Sequence, residues 1–163
     1  MPILKFQAAH CSPANTLCGL LSPDMAIAQG CQSIISGEPR EMAAQMMQTV
    51  RLYRKNESLS GRTYYHFEIY FDPADLLCNG GTLDAEKANL YAGKYAEESW
   101  PDHEVVWAVH DHGPGIHIHF IVAAFSLETG RKMNIRMDEY QALRVRTQSL
   151  AREYGLSALD QKI

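Results

Sequence analysis

The sequence predicts an α+β domain: a central antiparallel sheet with helices packed on one of its faces. β-favouring residues run from Thr63 to Phe71, and two further apolar stretches, Val105 to His110 and Ile116 to Phe125, flank a Gly-Pro-Gly turn. That pairing is typical of a β-hairpin, and helical segments alternate with the strands along the chain. Such a sheet is covered by helices on one face, so the other face is expected to stay open for a ligand.

The N-terminal third carries weaker signals. A short strand is expected from Ile3 to Ala8 and a short helix near Leu17 to Leu21, within a region rich in Ser, Pro, Gly and Ala. Pro39 is followed by a stronger helix, Arg40 to Tyr53, because Pro is favoured at the first helical position. Its apolar residues recur at spacings of four, four and three, which places them on one helix face.

The remaining elements are bounded by turn and cap residues. The run Asn56 to Gly61 predicts a turn. Thr82 or Asp84 can cap a helix from about Leu83 to Glu98. A short extended piece is expected near residues 132–135, and Asp138 is expected to cap a last helix that runs to about Tyr154.

Length and composition fit one globular domain over residues 1–163. Apolar residues make up 46% of the chain and charged residues 21%, which excludes disorder, collagen and coiled coil as the main state. No apolar run is long enough to span a membrane, and the first residues lack the pattern of a signal peptide. We therefore expect a cytoplasmic protein whose four scattered cysteines are reduced thiols.

The net charge of −4 argues against an obligate binder of polyanions, but the charges are unevenly distributed. Six basic residues and two acids lie between Arg131 and Arg152. Another basic group comprises Arg51, Arg54, Lys55 and Arg62. Two interpretations stay open on charge alone: a basic face on an acidic protein, or ordinary solvated helix faces.

Three histidines on the predicted hairpin form the most informative pattern. His117 and His119 alternate with Ile118, so both point to the same face of their strand. His110 ends the preceding strand and would lie beside them across the hairpin. Neutral imidazole is a common ligand for divalent metals, and three imidazoles leave positions free for water or a substrate oxygen, as a catalytic metal requires. Surface histidines at alternate strand positions also occur by chance.

The strand from Thr63 to Phe71 carries a second polar set. His66, Glu68 and Tyr70 share one face, and apolar residues occupy the other. If the apolar face belongs to the core, His66 and Glu68 can stand near the three histidines, where Glu68 would orient a ligand imidazole by hydrogen bonding. The alternative is an ordinary exposed strand face. The other two nearby histidines, His103 and His112, are expected in exposed loops.

These segments resemble a known family. Val109-His110, the run His117 to Val122, and Thr129-Gly130-Arg131-Lys132 are similar to the three-histidine motif of conjugative relaxases. Those proteins are HUH-type mobilisation endonucleases, and the chain resembles their MobA/VirD2-like (MOBP) class. The similarity extends over roughly residues 30–160 and includes Phe71-Asp72-Pro73 and the segment Glu153 to Ser157. The resemblance therefore implies an HUH/relaxase-like fold.

The resemblance also implies an activity: metal-dependent, strand-specific nicking of DNA at a transfer origin, in plasmid or mobile-element transfer. His110, His117 and His119 would then hold the divalent ion, Mg²⁺ or Mn²⁺, although imidazole-rich sites also favour other transition metals. The partner would be single-stranded DNA, and accessory transfer proteins could join it. Backbone contacts to the DNA would come from three basic residues: Arg62, Arg131 and Lys132.

One position departs from the family pattern. The family's nucleophilic tyrosine lies near the N-terminus, just before a Pro and an acid, but the matching stretch Leu17 to Asp24 has none, and the aligned position is near Gly19. A few relaxases are thought to use histidine, so His10 is a weak candidate nucleophile, beside Cys11 and Cys18; for each of them a structural role is the simpler interpretation. Three hypotheses follow: a relaxase-like transesterase, a catalytically impaired DNA-binding module with the relaxase fold, or a metal-dependent hydrolase without a covalent intermediate.

Overall fold

The structure is a computed structural model that describes residues 1–54 and 61–158. Most of the predicted turn from Asn56 to Gly61, and Lys55 of the basic group, lie outside these residues. None of the described helices is long and apolar enough to cross a membrane. The strands and helices, in chain order, are β1 (Ile3–Ala9), α1 (Ala14–Leu20), β2 (Ala26–Gln32), α2 (Pro39–Tyr53), β3 (Tyr64–Tyr70), α3 (Ala85–Ser99), β4 (Val105–His112), β5 (Gly115–Ala123) and α4 (Met137–Glu153).

The five strands form one sheet in the order β1-β3-β5-β4-β2, and every neighbouring pair is antiparallel. β4 and β5 form the predicted hairpin. The register pairs Glu68 on β3 with His119 on β5, and His110 on β4 with His117 on β5. The predicted fold class, α+β around a central antiparallel sheet, is confirmed.

One face of the sheet packs against α3 and α4. Phe120 is fully buried there, and its ring centroid lies 5.6 Å from that of Tyr95 and 5.5 Å from that of Trp100. The hydroxyl groups of Tyr91 and Tyr95 donate to main-chain carbonyls of α4, at 2.9 and 3.0 Å. Aromatic burial holds these helices against the sheet, and the two hydrogen bonds join α3 to α4.

The prediction that helices cover one face only is wrong, because α1 and α2 pack on the opposite face. Leu17 of α1 and Met42 and Met46 of α2 are buried there. The sheet residues beneath them are apolar on this face as well: Tyr64, Val106, Ala108, Ile121 and Ala123. The second face is therefore divided. Helices cover the half near the start of β3, and the half near the end of β3 carries polar side chains.

Strand β2 was not predicted, because alanine, glycine and glutamine have low β preference. It pairs with β4, with a register shift between Ala26 and Ala28. Gly30 lies against the indole of Trp107, where a Cβ atom would stand 2.3 Å from the ring. Only glycine allows that close approach. The residue that weakens the sequence signal for β2 is therefore the one that lets this strand pack against Trp107.

Several boundaries and exposures also differ from prediction. The hairpin turn is shorter than expected, so His112 belongs to β4 and not to a loop. His103 is buried, 7% exposed, with Nδ1 2.8 Å from the Ala123 carbonyl oxygen. The last helix begins at Met137, and its capping residue is Arg136 instead of Asp138. All four cysteines are free thiols, as expected.

Candidate metal centre on the open half of the sheet

Strand pairing gathers the predicted histidines on the open half of the second face. The ring centroids of His110 and His119 are 4.6 Å apart, those of His117 and His119 are 5.0 Å apart, and those of His110 and His117 are 5.5 Å apart. All three residues are at most 9% exposed. The sequence argument from strand alternation and the hairpin thus places three imidazoles side by side in the folded chain.

Each of these imidazoles has one nitrogen engaged by the surrounding protein. His110 Nε2 donates to the Leu20 carbonyl at 2.8 Å, and His117 Nδ1 donates to the Gly115 carbonyl at 2.8 Å. His119 Nδ1 lies 2.9 Å from Nε2 of His66. A carbonyl partner fixes the tautomer and leaves the lone pair on the other nitrogen, which is the usual arrangement of histidines that ligate a metal.

The second nitrogen of His110 is available as a ligand atom. His110 is 1% exposed, and its Nδ1 is buried with no hydrogen-bond partner among the described residues. A buried polar atom without a partner is costly, and most have one. Because Nε2 carries the proton, Nδ1 offers a lone pair, and a divalent cation would satisfy it. The donor chemistry of this site fits a metal ion.

The ligand atoms nearest to one another fall into two sets. One atom from each of His110, His112 and His117 lies within 4.8 Å of the others, and the same holds for His66, Glu68 and His119. The predicted triad is therefore divided between two adjoining sets. His112, which is exposed, was not predicted as a ligand; extending β4 by two residues would have placed it on the face of His110.

The surroundings keep the cluster in the form that binds metals. Burial, together with charge repulsion from the other histidines of the cluster, lowers the pKa of His119 to about 3. Burial also lowers the pKa of His66 and of His117. These imidazoles are therefore neutral near pH 7, with lone pairs available for coordination.

Tyr70 and Glu68 border the cluster. The Tyr70 hydroxyl donates to Glu68 Oε2 at 2.6 Å, and the Tyr70 ring stacks on His117 with centroids 5.1 Å apart. The other carboxylate oxygen of Glu68 lies 3.7 Å from His66 Nε2 and 3.9 Å from His119 Nδ1. Lys5 Nζ stands 4.9 Å from the centroid of the Tyr70 ring. Sequence reasoning placed Tyr70 on this face without giving it a role.

His10, the candidate nucleophile, lies elsewhere on the sheet. It is exposed and directly follows β1, in which Gln7 pairs with His66 and Lys5 pairs with Glu68. His10 is three positions beyond Gln7, so its backbone is about 10 Å beyond the level of His66, on the side away from Glu68. Gly19, near which the sequence resemblance would place the family's tyrosine, is closer, because it precedes Leu20, whose carbonyl accepts a hydrogen bond from His110.

The predicted DNA-contact residues also lie away from the histidines. Lys132 Nζ is 5.7 Å from the Phe125 ring centroid, and the Arg62 guanidinium is 5.9 Å from that of Tyr65. Arg131 is exposed in the neighbouring turn. Arg62 precedes Glu68 by six residues of extended chain, about 20 Å. These residues form a basic region at the opposite end of β3 from the cluster.

Comparison with known proteins gives one family and one fold. The profile of the family "Relaxase: MobA/VirD2-like, nuclease domain" matches residues 24–156. Protein rlx of Staphylococcus aureus is 26% identical over 116 residues, which are 71% of this chain and 34% of that protein. The chain thus spans about a third of the length of this curated relative.

Solved structures share the architecture at low sequence identity. The MobM relaxase domain, in a Mn-bound crystal structure with plasmid oriT DNA, superposes with a TM-score of 0.70 at 13% identity, covering 99% of this chain and 90% of that one. A structure titled "Molecular Basis of Vancomycin Resistance Transfer in Staphylococcus aureus" gives a TM-score of 0.68 at 11% identity, covering 97% and 96%. Because the family profile spans most of the chain, the resemblance seen in the sequence is confirmed, and this chain belongs to the MobA/VirD2-like relaxase nuclease-domain family.

Proposed function

We propose that residues 1–163 form one nuclease domain that nicks single-stranded DNA at the transfer origin of a plasmid or other mobile element, with the aid of a divalent metal ion. The observation that carries this proposal is the histidine cluster, in which His110 presents a buried, unpartnered Nδ1 next to His117 and His119. Folding alone does not require three buried imidazoles to converge. Membership of the relaxase family and the fold shared with a DNA-bound relaxase domain support it.

The residues that would hold the ion are His110, His117 and His119, with Mg²⁺ or Mn²⁺ as the expected metals. When bound, such an ion would polarise the scissile phosphate and stabilise charge that develops on its oxygens. The protein's own contribution is orientation: the Leu20 and Gly115 carbonyls and His66 hold the three rings in place. Glu68 lies beside this set, with one carboxylate oxygen 3.7 Å from His66 Nε2 and 3.9 Å from His119 Nδ1.

The DNA strand would cross the open half of the sheet. Lys5 contacts Tyr70 at the border of the cluster, and the basic region around Arg62, Arg131 and Lys132 would hold the strand about 20 Å further along β3. We place this reaction in the cytoplasm, where accessory transfer proteins would meet the same DNA.

A cleavage assay on end-labelled oligonucleotides tests the proposal. The oligonucleotides are single-stranded, tile the transfer region of the mobile element that encodes the chain, and are incubated with Mn²⁺ or with a chelator. We expect cleavage of one strand at one position with Mn²⁺ and none with the chelator, while the same sequence as a duplex is cleaved far less. Equal cleavage with the chelator would contradict the proposal.

A second candidate function is hydrolysis of DNA with water as the nucleophile. It is favoured by Gly19, which stands where the family carries its tyrosine, and where a Cβ atom would meet nothing within 4 Å. Hydrolysis gives metal-dependent cleavage with no protein–DNA adduct. Binding without any cleavage would instead indicate a DNA-binding module with impaired catalysis.

His112 is expected to influence which metal the site prefers. Its ring centroid lies 4.8 Å from that of His117 and 5.3 Å from that of His110, so a fourth imidazole can join the ligand set. Nitrogen-rich sites favour Co²⁺, Ni²⁺ and Zn²⁺ over Mg²⁺. We expect His112→Ala to weaken Co²⁺ binding by roughly 10-fold or more, measured by calorimetry, and to change Mg²⁺ binding little. Equal loss for both metals would show that His112 does not select between them.

A further inference from the structure

The geometry points to Tyr70 as the nucleophile that attacks the scissile phosphodiester. This inference rests on the proposed function, because it names the attacking atom of the same reaction. It comes from the contacts of Tyr70, a residue at the end of β3 and not in the N-terminal segment that contains His10 and Gly19.

The Tyr70 hydroxyl already has a base in place. It donates to Glu68 Oε2 at 2.6 Å, so the carboxylate can take the proton as the oxygen attacks. The second oxygen of Glu68 faces the cluster, 3.7 Å from His66 Nε2 and 3.9 Å from His119 Nδ1. A hydroxyl group hydrogen-bonded to a base is the arrangement that activates such nucleophiles in enzymes.

The ring of Tyr70 is fixed beside the candidate metal ligands. It stacks on His117 with an interplanar angle of 11°, and the two residues are cross-strand partners between β3 and β5. Lys5 lies on β1, the neighbouring strand, and its Nζ is 4.9 Å from the centroid of the Tyr70 ring. An anionic phosphate between Lys5 and the histidines would have the Tyr70 hydroxyl within reach, and Tyr70 is half-buried, so DNA can approach it.

The hydrogen bond to Glu68 also sets the path of the proton. In the reaction a bond forms between Tyr70 Oη and phosphorus as the proton passes to Glu68. The bond from phosphorus to O3′ breaks, and O3′ leaves with the electron pair and takes a proton from water. Glu68 then returns its proton to water. The net result is the transfer of one proton from Tyr70 to the new 3′ hydroxyl, with the 5′ phosphate bound covalently to Tyr70.

Mapping of the covalent adduct tests this inference. The whole chain is incubated with Mn²⁺ and the tiled single-stranded oligonucleotides, adducts are separated under denaturing conditions, and the modified peptide is identified by mass spectrometry after digestion of protein and DNA. We expect the residual nucleotide on the peptide that contains Tyr70. Tyr70→Phe keeps the stacked ring but lacks the hydroxyl, and is expected to lower adduct formation roughly 1,000-fold.

Two further measurements separate chemistry from folding. Tyr140→Phe is the matched control, because Tyr140 lies on α4, across the sheet from the cluster, and its hydroxyl donates to the Leu4 carbonyl; it should form adduct as the native chain does. Mn²⁺ affinity should be unchanged in Tyr70→Phe. An adduct on another residue, or cleavage without an adduct, would overturn the role of Tyr70 and leave nicking in place. No cleavage by the native chain would overturn both.

Discussion

Replacing His117 and His119 together with alanine is expected to abolish metal-dependent cleavage of single-stranded DNA. The double variant removes two of the three imidazoles predicted to hold the ion. Of that set only His110 remains. Electrostatic stabilisation by a bound metal contributes several kcal/mol to a transition state of this kind. A loss of about 4 kcal/mol corresponds to roughly a thousandfold lower rate, measured by single-turnover cleavage with Mn²⁺.

Binding of Mn²⁺, followed by electron paramagnetic resonance, distinguishes a lost site from a lost fold. We expect the double variant to bind Mn²⁺ at least roughly 100-fold more weakly than the native chain, with an unchanged far-ultraviolet circular dichroism spectrum. His10→Ala is the matched control for affinity, because it removes an exposed histidine outside the cluster. Unchanged Mn²⁺ affinity in the double variant would place the ion on other residues.

Acid is expected to destabilise the metal-free protein through the same histidines. Burial lowers the pKa of His119 from 6.5 to about 3, so the unfolded chain binds this proton at a higher pH than the folded chain does. Stability from His119 is therefore fully present above pH 6.5 and is lost as the pH falls toward 3. At 1.4 kcal/mol per pKa unit, the loss between pH 7 and pH 4 is on the order of 3 kcal/mol.

Urea denaturation at a series of pH values, in the presence of a chelator, measures this loss. Carboxyl groups also titrate in this range, so the comparison is with His119→Gln, which cannot take up the proton. The variant should show a shallower decline of unfolding free energy with acid, whereas His10→Gln should follow the native chain. Parallel curves for native protein and His119→Gln would contradict the expectation.

The hairpin and its histidines were predictable because the signal is local. Alternation in His117-Ile118-His119 fixes which side chains share a face, and the Gly-Pro-Gly turn returns the chain beside His110. Both features depend on residues that lie fewer than about 15 positions apart in the chain. The antiparallel sheet follows from the same logic, and the structure has it.

The covered half of the second face was not predictable in the same way. α1 is short and irregular in sequence, and β2 is built from small residues, so neither carries a strong periodic pattern. Both are positioned by contacts distant in sequence: Leu17 packs in the cluster of α2 and sheet residues, and Gly30 fits under Trp107. Those contacts leave open the half of the face where the histidines lie.

The partners of the histidines were also hidden from sequence. The Leu20 carbonyl reaches His110 across 90 residues, and a backbone carbonyl carries no side-chain signal. The hydrogen bond between Tyr70 and Glu68 joins residues two apart, which strand alternation does place on one face. Only its short distance and the stacking on His117 single out Tyr70 from the other polar residues there.

An anomalous difference map from crystals grown with Mn²⁺ is the most direct test of the central claim, that the imidazole cluster holds a divalent metal ion. We expect one strong peak coordinated by His110 Nδ1, His117 and His119, with His112 close enough to join. A peak confined to His66 and Glu68, or no peak in crystals at saturating Mn²⁺, would contradict the assignment of the metal centre.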